Sequence, residues 1–347
     1  MNVEKKVISD LTLCYWVTTL DIKGELFFLV ASEKAYSCLL FDRYGKQVDE
    51  VWKEPGGTMT AVQVPGAADG AFLATHRMYS PDDNRQASII YAFRTDAGWK
   101  IKNLCHLQGV HRFDILRRND VNYLIACTIK SDYEYENDWR FPGKVFAARL
   151  PDDLNNLSDD YELPLTVLKD NLCKNHGYSR DSYKGIETAV ITSEEGVFRF
   201  TPPEHPDGEW TVEKHLDEPT SDALFLDLDG DGEKEMLTLS PFHGDTLKVF
   251  KQVGASFKKV FEYEKKLPFI HAICPAQFNG REIAIVGYRR AERDLLAVYY
   301  DKGGYKVEIL DHDVGPANAR AAIIDGKTVV VSANREISEV AYYTLEP

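Results

Sequence analysis

The chain has 347 residues, and its 55 acidic side chains outnumber 41 Lys and Arg, so its net charge is −14 at pH 7. An acidic surface repels nucleic acids and anionic lipids, which argues against both as partners. No run of about 18 apolar residues occurs, so we expect no transmembrane helix. The first ten residues lack the apolar centre of a signal peptide, and the six cysteines include no Cys-x-x-Cys pair. We therefore expect a cytoplasmic protein with reduced thiols.

Short apolar strands dominate the sequence, and seven of them end in a tight turn that leads directly into a second strand. These turns contain Asp, Asn or Gly and comprise residues 21–24, 68–70, 118–120, 183–185, 229–232, 279–280 and 325–326. Their spacing resembles that of β-propeller blades, which are about 40–50 residues long. The sequence predicts a single all-β domain, residues 1–347, folded as a seven-bladed β-propeller of four-stranded blades. Six or eight blades is the alternative.

The fifth blade divides most easily, into predicted strands 223–226, 235–239, 247–250 and 257–261. The last blade lacks a fourth strand because the chain ends at Pro347. We expect residues 3–8 to supply its outer strand and to close the ring. Residues 132–164, rich in Asp, Asn, Tyr and Pro, are predicted to be a loop or cap inserted in the third blade.

The turn of the fifth blade has the pattern D-x-D-G-D-G-x-x-E. Its carboxylates, at alternate positions with a final Glu, suit Ca²⁺ and belong to Asp227, Asp229, Asp231 and Glu235. The alternative is a tight hairpin whose glycines adopt positive φ. The motif resembles the turn of VCBS and FG-GAP propeller repeats, although only this blade has it in full.

Residues that are mostly polar or aromatic recur where the seven predicted inner strands begin, around the propeller axis. They are Trp16, Met59, His111, His176, Asp222, His271 and Asn318, separated by 43, 52, 65, 46, 49 and 47 residues. Loops between second and third strands should open on the same end. They carry Glu33, Lys34, His76, Arg77, Asp132, Tyr133, Tyr135, Glu194, Glu195, His243, Asp245, Arg289, Arg290, Asn334 and Arg335.

Five of the nine histidines are thus predicted to lie at one end of the ring. The other four are expected on outer strands or loops, exposed to solvent: His106, His205, His215 and His312. Three imidazoles that meet on an axis can hold Zn, Mn, Fe or Ni. The alternative is that each histidine fills the channel mouth and bonds to nearby backbone.

Inner strands that begin with His and precede acidic turns resemble the propeller of aldos-2-ulose dehydratase and related VCBS-type sugar enzymes. More loosely, they are similar to propeller polysaccharide lyases with a His-coordinated metal. The resemblance implies three metal ligands, namely His111, His176 and His271. It places four more residues around the substrate, namely His76, Arg77, His243 and Arg289. The chain departs from this pattern at Asp222 and Asn318, where further histidines would be expected.

The first functional hypothesis is a carbohydrate lyase or isomerase that acts on a sugar, an oligosaccharide or a keto-sugar. Such reactions need a base for a carbon-bound proton and an electrophile for the enolate, and a bound divalent transition metal supplies the electrophile. The candidate bases are His76 and His243, and either Arg77 or Arg289 could bind a carboxylate or hydroxyl groups of the substrate as a clamp. Tyr178 is a further catalytic candidate. The candidates for substrate binding are Tyr133, Tyr135, Trp139, Asn318 and Arg335.

The second hypothesis is a non-catalytic propeller that binds a carbohydrate or a protein through its charged loops. Propellers serve many functions, so the fold cannot decide between the two. Glycoside hydrolysis by Glu194 and Glu195 is a third possibility, disfavoured because both residues lie in a short hairpin. The sequence has no Gly-rich phosphate loop, G-x-S-x-G elbow or H-E-x-x-H pair, which argues against nucleotide-dependent enzymes, α/β-hydrolases and zincins.

Overall fold

In a computed structural model that describes residues 1–347, the chain forms seven four-stranded antiparallel sheets. The inner strand of each sheet contacts the inner strands of both neighbouring sheets, so the sheets form a closed ring. The prediction of a seven-bladed β-propeller is therefore confirmed. Strands are numbered along the chain, and in blades one to six they run outwards from the axis in chain order.

The first three blades follow the N-terminal strand β1 (Asn2–Ser9). Blade one contains β2 (Cys14–Ile22), β3 (Glu25–Ser32), β4 (Cys38–Asp42) and β5 (Gln47–Trp52). Blade two contains β6 (Ala61–Gln63), β7 (Phe72–His76), β8 (Ser88–Thr95) and β9 (Gly98–His106). Blade three contains β10 (Val110–Arg118), β11 (Val121–Thr128), β12 (Gly143–Arg149) and β13 (Thr166–Leu172).

The remaining blades complete the ring. Blade four contains β14 (Gly177–Tyr183), β15 (Ile186–Ser193), β16 (Gly196–Thr201) and β17 (Thr211–Leu216). Blade five contains β18 (Asp222–Leu226), β19 (Glu235–Ser240), β20 (Thr246–Val253) and β21 (Ser256–Glu262). Blade six contains β22 (Ile270–Phe278), β23 (Arg281–Tyr288), β24 (Leu295–Asp301) and β25 (Gly304–Asp311). Blade seven contains β26 (Asn318–Ile324), β27 (Lys327–Asn334) and β28 (Glu339–Glu346), with β1 outermost.

The N-terminal strand closes the ring, as predicted. β1 pairs antiparallel with β28, with Asn2 opposite Glu346 and Val7 opposite Ala341. The terminal ammonium of Met1 also lies 2.5 Å from a carboxylate oxygen of Glu308 in blade six. The last blade therefore depends on both ends of the chain.

The hydrophobic core is divided into seven clusters, one in each gap between neighbouring blades. Successive side chains of a strand point to opposite faces, and each second strand is covered on both faces. In β3, for example, Leu29 packs towards blade two and Val30 towards blade seven. This double burial explains why the second strands are almost continuously apolar.

The prediction that residues 132–164 form one inserted loop is wrong. β12 runs through the segment and pairs with β11, with Tyr123 opposite Arg149. The segment therefore divides into two connections at opposite ends of the ring. The second of these, residues 150–165, buries Leu154 and Leu163 against the core between blades two and three. Asp- and Pro-rich flanks on both sides made this short strand hard to recognise.

The only helical element is a 3₁₀ turn, Arg335–Ile337. No helix of the structure is long and apolar enough to cross a membrane. The six cysteines form no disulfide, and five of them are buried.

The expectation of solvent exposure is wrong for His215, whereas His106, His205 and His312 are exposed. His215 lies on β17 between the rings of Phe225 and Phe257, at centroid distances of 5.9 and 5.6 Å. Its Nε2 is buried without a hydrogen-bond partner. This burial lowers the pKa of His215 to about 4. The imidazole therefore packs as a neutral ring against the inner strand β18 and the outer strand β21 of blade five.

Acid should destabilise the fold before its carboxylates titrate. Burial also lowers the pKa of His76 from 6.5 to about 4. Below pH 6.5 His76 is protonated in the unfolded chain but stays neutral in the folded chain. The free energy of unfolding therefore decreases as the pH is lowered from about 6.5 to 4. At pH 5 the loss from His76 is about 2 kcal/mol, and that from the more accessible His215 is smaller.

Urea unfolding at several pH values between 7 and 5 measures how the free energy of unfolding depends on pH. We expect His76→Gln to make stability less dependent on pH, and His205→Gln, at an exposed site, to leave the dependence as in the wild type. Equal slopes in all three proteins would contradict the assignment.

Candidate functional site

Four imidazoles meet on the axis at one end of the ring, called here the histidine end. His176 is central to the group, with ring centroids 4.6 Å from His111, 5.2 Å from His243 and 5.1 Å from His271. These residues come from blades three to six. Closure of the ring brings together side chains that are far apart in the sequence, as the blade period predicts.

β-Bulges direct three side chains towards the axis, those of Tyr15, His111 and His271. The register of pairing with the second strand shifts by one residue at Tyr15 in β2, at His111 in β10 and at His271 in β22. A bulged residue is left out of the ladder and its side chain is redirected. As a result the Tyr15 hydroxyl lies 3.3 Å from His111 Nε2 and 3.2 Å from His271 Nε2.

The blade-one residue at this position is therefore Tyr15 and not Trp16. The predicted start of the inner strand was off by one because the bulge adds a residue that sequence periodicity does not reveal. Trp16 instead donates from its indole to the carbonyl of Ala61, at 3.1 Å.

Hydrogen bonds fix the tautomers of three histidines. Nδ1 of His111 faces the carbonyl of His176 at 3.1 Å, and Nδ1 of His271 faces that of Ala317 at 2.6 Å. Nδ1 of His176 lies 3.0 Å from a carboxylate oxygen of Asp222. Since these oxygens accept hydrogen bonds, each Nδ1 carries the proton and each Nε2 has a free lone pair.

The lone pairs at the centre outnumber the protons available to them. Tyr15 has one hydroxyl proton and can donate to either His111 or His271. Nε2 of His176 is buried and has no partner at all. Buried nitrogens without donors are costly unless something positive meets them. The cluster therefore has the electronic character of a cation site.

Three of the histidines are close enough to share one ion. A ligand atom from each of His176, His243 and His271 lies within 4.8 Å of the other two. His111 is outside this set, and its Nε2 contacts the Tyr15 hydroxyl instead. The triad inferred from the sequence thus shares two members with the one that the geometry favours, and His243 takes the third position.

Burial favours the neutral form of three of the four imidazoles. Burial lowers the pKa of His111, His243 and His271 well below its usual range, and neighbouring cations add to the effect. For His111 the next cause is the guanidinium of Arg112, and for His243 and His271 the guanidinium of Arg289 contributes. Neutral imidazole is the form that binds metals.

Aromatic rings cover the cluster. The ring of His243 stacks between Phe242 and Phe269, at centroid distances of 3.8 and 4.1 Å. Trp139, a predicted substrate-binding residue, packs edge-on against Phe242 at 5.3 Å. His243 and Phe242 are only half-buried, so the cluster meets solvent at this point.

Ion pairs surround the aromatic rings that cover the histidine cluster. Arg289 bonds to Glu336, and its guanidinium lies 4.7 Å from the centroid of Phe269. Arg335 bonds to Glu33 and to Glu336. The predicted clamp residue Arg289 and the predicted substrate-binding residue Arg335 are therefore next to the cluster, but each already has a carboxylate partner.

Several predicted site residues lie elsewhere. His76 is buried between blades one and two, with its ring 4.5 Å from that of Trp52. Arg77 is exposed and bonds to Gln86. Tyr133 and Tyr135 lie in the loop before β12, under the guanidinium groups of Arg85 and Arg140 respectively. Of the two glutamates considered for hydrolysis, Glu194 pairs with Lys174, and Glu195 accepts a bond from the Cys173 backbone N–H.

Two further predicted residues face the channel. The Tyr178 hydroxyl donates to Asp114 at 2.7 Å, and Asn318 donates to the Tyr15 carbonyl at 2.9 Å. Sequence reasoning missed Tyr15 and the covering rings of Phe242 and Phe269. It placed Asp222 at the start of an inner strand but gave it no role, whereas its carboxylate orients His176.

The acidic turn of blade five already holds a cation. The ammonium of Lys251, from β20, contacts Asp229 and lies 2.7 Å from Asp231 and 3.1 Å from Glu235. The fourth carboxylate, Asp227, accepts bonds from backbone N–H groups of the turn. We propose that Lys251 takes the place considered above for Ca²⁺.

Calcium should consequently have little effect on the wild-type protein. We expect saturating Ca²⁺ to shift the thermal midpoint by less than about 1 °C, because the ion would have to displace a tethered ammonium. Lys251→Met should be less stable without Ca²⁺ and should gain about 2 °C or more when it is added. Lys258→Met, on the neighbouring β21, is the control. A wild-type midpoint that rises strongly with Ca²⁺ would contradict this.

The fold and the site define a seven-bladed β-propeller with a buried imidazole cluster on its axis. Comparisons with models of protein families and with curated proteins find no match.

Proposed function

We propose that His176, His243 and His271 bind a divalent transition metal, and that the propeller is a metal-dependent enzyme. The observation that carries this proposal is the convergence of three ligand atoms within 4.8 Å. Imidazole nitrogen suits Zn, Mn, Fe and Ni, and three protein ligands with an open position are typical of catalytic sites.

The surroundings of the triad support a resident metal. Ligating histidines usually donate their second N–H to a carboxylate or carbonyl, which fixes ring and tautomer. Asp222 does this for His176 and the Ala317 carbonyl does it for His271. The depressed pKa values of His243 and His271 keep them free of competing protons.

We propose that the reaction is an elimination or isomerisation beside a carbonyl, on a sugar or keto-sugar. The metal would polarise that carbonyl and stabilise the enolate charge. Proton transfer would fall to Tyr15 and His111, because the hydroxyl and Nε2 lie 3.3 Å apart next to the triad. This pair replaces His76, which lies between blades, and His243, which becomes a ligand.

The test is a screen of aldoses, ketoses and sugar acids, with products followed by NMR. Activity should disappear on chelation and return with about one equivalent of metal. Tyr15→Phe should retain the metal but lose about 100-fold or more in kcat, the range of a lost proton donor. Turnover that survives metal removal would contradict the proposal. Metal binding without any turnover would indicate instead a non-catalytic propeller that the metal stabilises and that binds a ligand.

A further inference from the structure

A cavity lies in the channel, further along the inner strands than the histidine cluster. It has a volume of about 350 Å³ and is lined by inner strands of all seven blades. Residues such as Thr18, Thr60, Arg112 and Arg320 face it. Its size is near the lower end of small-molecule sites, which span about 300–1,000 Å³.

Arg112 is a buried cation without an anion. The residue is 4% exposed, and its guanidinium donates only to the Met59 carbonyl. It lies 4.8 Å from the ring centroid of Trp16 and 5.6 Å from that of Tyr15. No carboxylate lies within 4 Å of its nitrogens, and a buried charge without a partner is costly. The guanidinium fork matches a carboxylate or phosphate.

The other residues of the channel do not supply a negative charge for Arg112. Asp114, two residues along the same strand, is engaged by Arg180 at 2.9 Å and by the Tyr178 hydroxyl at 2.7 Å. Arg320, at the exposed side of the cavity, also forms no salt bridge. The channel is therefore locally positive in a chain with net charge −14. Such a field concentrates small anions.

We propose that this cavity binds a small, hydroxylated organic anion, whose carboxylate or phosphate pairs with Arg112. Arg320 would contact the anion at the mouth. Asn318 has a free Oδ1, since its only side-chain hydrogen bond runs from Nδ2 to the Tyr15 carbonyl. It and the Thr18 hydroxyl can meet the hydroxyl groups of the ligand. The Thr60 hydroxyl donates to the His111 carbonyl at 3.0 Å and can still accept a hydrogen bond.

Calorimetry and Trp16 fluorescence with three probes test this site. D-gluconate supplies a carboxylate, D-glucose 6-phosphate a phosphate, and D-glucose is the uncharged control. We expect at least one anion to bind about tenfold or more tightly than glucose, and the better one identifies the headgroup. Arg112→Lys and Arg320→Gln should each weaken that binding by about three- to tenfold or more.

Two controls separate this site from the metal proposal. Arg117→Gln, at an exposed residue that does not line the cavity, should leave anion binding unchanged. His176→Ala should also retain it, so a failure of the metal site does not affect this result. Arg320 is exposed and its variant should fold even if Arg112→Lys does not. Equal affinity for gluconate, glucose 6-phosphate and glucose, or anion binding that is unaffected in Arg320→Gln, would overturn the proposal.

Discussion

Replacing His176 or His243 by alanine should reduce the affinity for a divalent transition metal by at least about 100-fold. Loss of a hydrogen-bond partner behind a ligand already costs about 10- to 100-fold, and these changes remove a ligand itself. The measurement is the metal-to-protein ratio after gel filtration, followed by competition with a chromophoric chelator. Thermal unfolding in parallel shows whether each variant is folded.

His111→Gln distinguishes the two candidate triads. The sequence grouped His111 with His176 and His271, whereas the geometry groups His243 with them. We expect His111→Gln to keep the metal, because its Nε2 contacts Tyr15. His312→Ala, at an exposed site, is the matched control. Loss of metal in His111→Gln, together with its retention in His243→Ala, would show that the geometric triad is wrong.

Deletion of residues 1–9 should cost roughly 3–5 kcal/mol of folding free energy. The deletion removes the outer strand of blade seven, whose side chains Val3 and Ile8 pack against two blade interfaces. Partial burial of such side chains and loss of the strand ladder account for this amount. Thermal or urea unfolding measures it.

A synthetic peptide of residues 1–10 should restore part of the lost stability, because the vacated edge of β28 can pair with it. The point variant Lys6→Ala keeps the backbone pairing with β28 and serves as the control. A truncated protein with the midpoint of the full chain would contradict closure by β1.

Most of the fold could be predicted from the sequence because each blade repeats one local pattern. An apolar inner strand, a turn rich in Asp, Asn or Gly and a second strand recur at nearly constant spacing. Blade five and the closing strand β1 came out close to their observed bounds. β12 did not, because seven residues between Asp- and Pro-rich flanks carry too little periodicity.

The sequence predicts which residues of the candidate site lie near one another but not how their side chains are oriented. The blade period brings His111, His176 and His271 to one end of the ring. It cannot reveal a bulge, so Tyr15 was missed by one residue. It also cannot tell which way a loop residue points. Both His76 and His243 lie near the ends of second strands, since His76 is the last residue of β7 and His243 follows β19. Yet His76 packs between blades and His243 reaches the axis.

Tautomers depend on partners that no sequence pattern encodes. The Ala317 and His176 carbonyls reach the imidazoles only after neighbouring blades are in place. Likewise the Lys251 ammonium comes from a strand that follows the acidic turn by about twenty residues. Motif spacing alone showed the carboxylates of that turn but not the cation that they hold.

The most direct test is to saturate the wild-type protein with Zn²⁺, Mn²⁺, Fe²⁺ or Ni²⁺, remove the excess by gel filtration, and determine the bound metal and its coordination. We predict about one ion per chain for at least one of these metals. X-ray absorption should show three imidazole nitrogens, at about 2.0–2.1 Å if the metal is Zn²⁺. A folded protein that retains none of the four metals, or holds one without imidazole ligands, would contradict the account.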